Sequence, residues 1–342
     1  MILKVNGRRI NFWNNFKLNL VFNSIGSTFD FAYRNDVDSN ESKFLSQLGE
    51  YNDCTLEENG ELLLTGTILN HSFVSDSLPD LSTFSGYSKP AVLNDCNVPI
   101  SIYPLQSDGL SLAQITSKLI TPFGLNFAPD NRVREEINKV IEVSNAEPTD
   151  TIYGYLSKLA SQRNIIVNHD VDGRLIYTRA RTDTPPIDNF IDGKRGVKFS
   201  LQFNGQALHS EITVLSQADS SGGNSGEFTI KNPYAKSFRP KTIIQTSGDD
   251  NDISKTARES LGKELSSIKL TINKDSWFDK NGKILKPNQI ITVRNKELRI
   301  FDETRFFVES ISFEGDSKSQ TAVLTCVLPF VYNNDTVINV FS

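Results

Sequence analysis

The chain has 342 residues, 38% of them hydrophobic, with 36 basic and 41 acidic side chains and a formal net charge of −5. That length suits about two or three domains, and the acidic balance excludes capture of nucleic acid by a broad basic surface, which needs clustered Lys and Arg. The three cysteines, Cys54, Cys96 and Cys326, lie far apart; an odd, scattered set fits free, mostly buried thiols made in a reducing compartment and excludes a disulfide frame or a zinc site.

From the N-terminus, Ile2-Leu3-Lys4-Val5-Asn6-Gly7 reads as an alternating strand and turn. It is not a basic and then apolar leader, and no apolar run approaches the roughly 20 residues of a membrane span. Neither a secretory signal nor a membrane anchor is expected. The 22 Phe residues, against one Met and two Trp, recur at strand spacing: Phe29 and Phe31, Phe199 and Phe203, Phe307 and Phe313. That spacing predicts half-buried strands, not an aromatic ligand box.

Residues 1–95 read as mostly β. Phe16, Leu18, Leu20 and Phe22 share one face of a strand, and Phe29, Phe31 and Tyr33 share one face of the next. The short connection Ser24-Ile25-Gly26-Ser27 predicts a hairpin between them. Glu41 to Leu48 predicts a short helix. "TLEENGELLLTGTIL" predicts strand, Asn59-Gly60 turn and strand, because Asn-Gly suits a turn in which both central residues need positive φ. Phe73, Val74 and Phe84 are expected to continue the sheet.

"FSGYSKPAVLNDCNVP", Phe84 to Pro99, then ends a strand on Lys89-Pro90 and a helix-like run Ala91-Val92-Leu93. Residues 96–183 change period. Leu112, Ile115 and Leu119 have helical spacing behind Ser111 as N-cap, and Pro122-Phe123-Gly124 ends the run. Thr149-Asp150 are expected to open a second helix bearing Ile152, Leu156, Leu159 and Ala160. "NIIVNHDVDGRLIYTRA" predicts a hairpin turning at Asp172-Gly173.

Thr184-Pro185-Pro186 marks a boundary, after which β patterns return in "VKFSLQF", "SEITVLSQ", "RFFVESISF" and "QTAVLTCVL". The run Asp219 to Gly226 reads as a polar, glycine-rich loop. One helix, about 252–267, is predicted from Ile253, Ala257, Leu261 and Leu265. The spacing of Phe16, Leu20 and Phe22 recurs in Phe307, Ile311 and Phe313, an echo that either two copies of one barrel-like unit or two unrelated amphipathic hairpins would produce. The apolar tail residues Val337, Ile338, Val340 and Phe341 are expected to add a strand, either to a neighbour's edge or to this chain's own barrel.

No constellation carries chemistry. Gly86-Tyr87-Ser88-Lys89-Pro90 has one glycine and a proline after the lysine, unlike a phosphate loop. Ser88 and Lys89 as adjacent strand residues point to opposite faces. Asp249-Asp250-Asn251-Asp252 fails the calcium-loop pattern, since counting from Asp250 places Lys255 where glycine and Leu261 where glutamate is required; these acids read as helix-start residues. His71, His169 and His209 have no ligand or catalytic partner at short spacing. No Gly-x-Ser-x-Gly elbow occurs, "GGNSGEF" reading as loop. Paired carboxylates cannot be singled out among 41 acids. No catalytic, cofactor or metal residue is assigned, no cofactor is expected, and the chain is not expected to be an enzyme.

Several segments in one order resemble the baseplate hub proteins of Mu-type contractile phage tails, a phage late-control, tail-protein-P-like group. They are "LGEYNDCTL" before "GELLLTGTI"; Gly86-Tyr87-Ser88-Lys89 followed by Leu93-Asn94-Asp95-Cys96; "SLAQITSKLITPFGLNF"; "TIYGYLSKLASQRNIIVNHDVDGRLIYTRA"; and "ILKPNQIITVRN". The resemblance covers about residues 1–330. Pro90, the long 34–50 insertion and the tail after Pro329 depart from it.

The resemblance implies a β-rich α+β chain in which two tube-like β-barrel domains flank a small α+β middle domain, with three copies forming a trimeric ring. The divisions expected are 1–95 (first barrel), 96–183 (middle) and 184–342 (a C-terminal β-rich domain with one helix, whose sharing of strands with the first barrel is left open). Lys89 to Cys96 would be the exit from the first barrel, its helical turn plugging the barrel end with Val92 and Leu93 inward. The implied function is structural. A homotrimer would adapt a hexameric tail tube protein to a trimeric central spike protein, contact other baseplate proteins, and let DNA pass without specific binding. Its place would be the virion tail baseplate, after synthesis in the host bacterial cytoplasm. A hub of a bacterial contractile injection system or a non-contractile tail, a carbohydrate- or receptor-binding β-protein, and a cell-wall hydrolase of the baseplate are the alternatives.

Overall fold

Alternating burial along the first 88 residues builds a single antiparallel ladder. A computed structural model describes residues 1–75, 81–102, 108–142, 144–193, 195–216, 226–245, 253–316, 318–333 and 335–341. The chain divides into two compact units, residues 1–179 with 312–321, and residues 180–311 with 322–342.

In the first unit, β1 (Ile2–Val5), β2 (Arg8–Ile10), β3 (Trp13–Val21), β4 (Thr28–Arg34), β5 (Asp53–Glu58), β6 (Glu61–Ser72) and β7 (Leu81–Ser88) pair in the order β2-β1-β5-β6-β7-β4-β3. The predicted hairpins at 24–27 and at Asn59-Gly60 both form. Asn59 and Gly60 have φ of +50° and +78°, the values an Asn-Gly hairpin turn requires. The phenylalanine alternation becomes one aromatic layer. The Phe31 ring stacks on Phe16 at 5.6 Å and on Phe84 at 5.4 Å between centroids, and Phe29, Phe31 and Tyr33 are buried. Offset and edge contacts of this kind add to the burial of the rings themselves.

Two expectations here are corrected. Phe73 and Val74 do not continue the sheet: β6 ends at Ser72, and they are 43% and 51% exposed. The helix expected over Glu41–Leu48 is α1 (Asn40–Leu45), started by the Ser39 side chain, which accepts the Glu41 and Ser42 N–H groups. It stops early because the next apolar residue, Leu48, is exposed and gives a further turn nothing to bury.

At Ser88 the ladder becomes helical. Pro90 sits in the first turn of a 3-10 segment, Lys89–Ala91, which runs into α2 (Val92–Asp95); proline is tolerated there because a first-turn N–H has no helical partner. The α+β layer follows with β8 (Leu110–Ser111), α3 (Leu112–Ile120), β9 (Phe127–Pro129), α4 (Arg134–Asn138), β10 (Val140–Ile141), α5 (Ile152–Ser161), β11 (Ile166–His169) and β12 (Leu175–Thr178). Ser111 and Gln114 form the expected start of α3 as a reciprocal capping box, worth about 1 kcal/mol. Gly124, at φ +63°, closes it. The cap of α5 is Thr151, whose hydroxyl accepts the Gly154 N–H at 3.0 Å, not Thr149 or Asp150. Gly173 turns the β11–β12 hairpin at φ +78°. Leu93 is fully buried, in the core cluster that holds Leu112, Ile115, Leu156 and Leu159, with Val92 packed partly buried against it. The turn expected to plug the end of the first barrel packs into a cluster that joins Ile25 of the β3–β4 connection to the α+β layer.

In the second unit, β13 (Asn189–Ile191) runs parallel to a later strand and β14 (Val197–Phe203) opens an antiparallel set. A three-stranded sheet follows from β15 (Glu211–Ser216), β16 (Glu227–Lys231) and β17 (Pro240–Gln245), packed by α6 (Ile253–Leu265) through Ala257, Leu261 and Leu265. Then come β18 (Ile268–Lys274), β19 (Gln289–Asn295), β20 (Ile300–Asp316) and β21 (Gln320–Val327), of which residues 312–316 and 320–321 belong to the first unit. β14, β18 and β21 are antiparallel neighbours, and β19 lies between β13 and β20. The glycine-rich run 219–225 and the acidic run 249–252 lie outside the described residues.

Among the described residues the C-terminal tail forms no strand. The Tyr234 hydroxyl donates to the Ile338 carbonyl at 2.7 Å, and the Tyr234 ring meets Phe341 edge-on at 5.9 Å. The tail is held by this tyrosine on its own chain, and the strand expected on this chain's own barrel does not form among the described residues.

Gly86 of β7 faces Phe29, and a Cβ there would fall on the Thr67 carbonyl oxygen and the Phe29 ring. Gly86→Ala is therefore expected to cost about 3 kcal/mol, read as a lowered urea midpoint for the first unit. An unchanged midpoint would contradict this packing.

Candidate functional site

The titratable groups that would carry chemistry are engaged in structure. His209 donates its backbone N–H to Glu264 Oε2 at 2.9 Å and its Nδ1 lies 2.7 Å from Oε1, which also receives Lys241 Nζ at 3.1 Å. This buried carboxylate staples the end of α6 to the start of β15 and to β17. His71 stacks on Phe73, centroids 6.0 Å apart, with Nδ1 buried and unpartnered. Burial pushes the thiols of Cys54 and Cys326 up, which makes them poor nucleophiles; Cys96 is half-buried. Among the described residues no group of three or more His, Cys, Asp or Glu could hold a metal ion. No helix among them is long and apolar enough to cross a membrane.

The residues around the Ser88–Lys89 knuckle form a polar junction between the ladder and the β11–β12 hairpin. The Ser88 N–H donates to the Ser27 carbonyl at 2.8 Å, and its hydroxyl donates to the Ile25 carbonyl. The Ser27 hydroxyl oxygen accepts the Val21 N–H at 3.1 Å and lies 2.7 Å from His169 Nε2. His169 Nδ1 lies 3.0 Å from the Asp170 carbonyl oxygen. A carbonyl only accepts, so the neutral ring carries its proton on Nδ1 and Nε2 accepts from Ser27. Thr65 donates to the Val171 carbonyl at 2.7 Å, and Lys89 Nζ reaches Asp53 Oδ2 at 2.7 Å. The Ser–His pair is not a hydrolase centre: Ser27 is fully buried, and the ring is oriented by its neighbour's carbonyl, not by a carboxylate.

Beside the junction lies a cleft of about 690 Å³, with Leu69, Val92, Phe123 and Leu125 in its wall and Tyr51, Tyr87 and Lys89 at polar positions. Tyr51 enters it at φ +48°, a rare conformation for an aromatic residue. Tyr87 donates to Asp95 Oδ2 at 2.7 Å; burial, then this bond, pushes its hydroxyl pKa up. On the solvent face of the ladder Asn15, Lys17, Asp30, Thr83, Glu314, Asp316, Ser319 and Thr321 line a shallow depression, in which Lys17 pairs with Glu314 at 2.7 Å. Burial raises the Asp30 carboxyl, opposed by Lys17.

Ser88 and His169 lie on the elements expected from the sequence, whereas Lys89, read beside Ser88 as a strand residue, opens the 3-10 segment. Ser27 and His169 are 142 positions apart, and no local pattern announces such a pair. Tyr51 entered only as part of "LGEYNDCTL", one of the segments of the family resemblance.

The resemblance to Mu-type baseplate hubs holds in three comparisons. Residues 90–179 match the family described as baseplate hub protein gp44-like, second domain. The chain is 24% identical over 314 residues to the baseplate hub protein gp44 of Escherichia phage Mu, covering 85% of this chain and 78% of that protein. Its fold matches the crystal structure of the prophage MuSo2 43 kDa tail protein from Shewanella oneidensis with a TM-score of 0.79 at 20% identity, covering 97% of this chain and 99% of that one. It also matches a tail protein from Neisseria meningitidis, with a TM-score of 0.78 at 19% identity and 97% of each chain covered.

Burial holds the His169 pKa below its ordinary value. The neutral ring is thus favoured in the folded state, while the unfolded chain titrates near 6.5. Above that pH neither state binds the proton and the site adds no pH dependence. As pH falls below it, the unfolded chain takes up a proton that the folded chain refuses, and stability is lost. His169→Gln is expected to cost about 1–2 kcal/mol at pH 7.5 and to flatten the loss between pH 7 and pH 5 in urea titrations. Parallel pH profiles for the two proteins would contradict the neutral, Ser27-bonded ring.

Proposed function

We propose that this chain is the structural baseplate hub of a phage tail, working as a homotrimer that joins a hexameric tail tube to a trimeric central spike. The observation that carries the reading is correspondence along nearly the whole chain: the relative from phage Mu is a baseplate hub, and the tail-protein fold is matched over 97% of the sequence. Three domains, 1–95, 96–183 and 184–342, serve this role, the outer two as tube-like barrels. The echo between Phe16, Leu20, Phe22 and Phe307, Ile311, Phe313, all six buried, supports two related outer domains. A threefold ring of such pairs offers six similar surfaces to a hexameric tube. Other baseplate proteins are further neighbours, and the protein resides in the virion tail baseplate.

The channel role draws on the solvent face of the ladder. Lys17 stands there among Asp30, Glu314 and Asp316, with hydroxyl and amide side chains between. DNA carries one charge per roughly 1.7 Å of axis, and Lys/Arg clusters would hold it by counterion release. A neutral-to-acidic wall lets it pass without binding.

Native mass spectrometry of the purified chain, alone and mixed with tail tube and central spike proteins encoded beside it, tests this function. A mass of three chains, joined by three spike chains and by tube subunits, is expected. A chain that stays monomeric with both partners present would overturn the reading.

A further inference from the structure

The trimer proposed above needs a surface that joins one copy to the next, and β6 exposes an unprotected edge. β5 accompanies β6 only as far as Asp53 opposite Thr67, and the Asn52 carbonyl takes the Ile68 N–H. Beyond that point Leu69–Ser72 has β7 on one side and, among the described residues, no strand on the other. Edges left in water are normally blunted by charge, proline or shortness. β2 is short and carries Arg8 and Arg9, β16 carries Glu227 and Lys231, and β17 begins with Pro240 and Lys241. From Thr65 to Ser75 there is no charged residue and no proline. Phe73 at the end of this edge is 43% exposed, and His71 Nδ1 beside it is buried without a partner.

β14 offers the counterpart. It pairs with β18 on one side, its other side is open among the described residues, and its single charge is Lys198 at the start. Its two faces differ. Phe199, Leu201 and Phe203 stand opposite Ile272, Leu270 and Ile268, all buried, while Lys198, Ser200 and Gln202 are exposed. On β6, His71 stands opposite the buried Phe84, so His71 and Phe73 lie on the apolar face, with Asn70 and Ser72 on the polar one. The ladders to which both strands belong are antiparallel.

We propose that Leu69–Ser72 of one copy takes β14 of a second copy as an antiparallel neighbour. Residues directly opposite share a face, so Leu201, with Phe203 or Phe199, covers the His71–Phe73 pair, while Gln202 meets Ser72 in one register and Asn70 in the other. Two registers satisfy this, Ser72 opposite Gln202 or opposite Ser200. A slip of one residue would place the Lys198 face on Phe73 and is excluded by the pattern. Joining different edges of successive copies is a heterologous contact, which closes into a ring and leaves no open edge when the rotation permits. This inference rests on the trimer reading and adds to it the surface and register of the contact.

Cysteine pairs on the polar face test it with little risk to folding. In a Cys96→Ser background, Ser72→Cys is combined with Gln202→Cys, with Ser200→Cys, or with Leu201→Cys, which points to the opposite face. The proteins are oxidised and run on non-reducing gels. The proposal expects a covalent trimer from one of the first two pairs, reversed by reductant, and none from the Leu201→Cys pair. A wild-type trimer by native mass with no crosslink from either pair would overturn the edge contact and leave the trimer reading standing. Monomers throughout, even with spike and tube proteins added, would overturn both; products stopping at dimers would overturn the closed ring.

Discussion

The molecule's first unit depends on the burial of a few polar groups where β7 ends. Inside protein an unpaired carbonyl or hydroxyl costs on the order of 1–3 kcal/mol. At Ser88 these groups are matched one to another: the Ser88 N–H and hydroxyl take the Ser27 and Ile25 carbonyls, and Ser27 in turn bonds His169. Each partner comes from a different stretch of chain. The network therefore fixes where the ladder stops, where the β3–β4 connection lies and how the β11–β12 hairpin meets them. Moving any one element would strand polar atoms belonging to the other two. The apparent knuckle at Lys89-Pro90 is the chain's exit from this lock, with Lys89 turned to Asp53 and Leu93 delivered into the helical core.

The same constraint explains how residues suggestive of chemistry are used in the fold. Ser27, His169, His209 and Glu264 are polar groups drawn into places where elements cross, and their hydrogen bonds are directed at one another or at the backbone. Lys274 and Asp188 repeat the pattern in the second unit, a largely buried pair at 3.4 Å. Such pairs contribute little net stability because both charges lose water, but removing one partner strands the other. These groups hold the crossings of the fold in place, which fits the structural role proposed above.

Local patterns in the sequence were enough for the elements. Phe16 to Tyr33 could alternate as it does only in a hairpin, Asn59-Gly60 only turns one way, and Ser111 with Gln114 starts a helix wherever it stands. Where an element ended was less legible, because endings depend on what lies opposite: α1 stops where Leu48 finds no core, and β6 stops before Phe73. Contacts between distant residues left no local trace, so Ser27 and His169, or Tyr234 and the tail, were beyond reach. The strand expected of the tail on this chain's own barrel failed for a related reason. Val337 to Phe341 has the composition of a strand, but composition cannot reveal that a tyrosine hydroxyl from position 234 takes the Ile338 carbonyl. The family resemblance rested on the order of many loose segments, and order survives even where single positions drift.

Assembly is the claim on which the functional account stands, and electron microscopy of the purified protein in negative stain addresses it most directly. With class averages sorted by rotational symmetry and none imposed, the account predicts threefold rings with an open centre and a rim of six similar lobes. Twofold particles, or single compact particles that persist after the spike protein is added to the same grid, would contradict it.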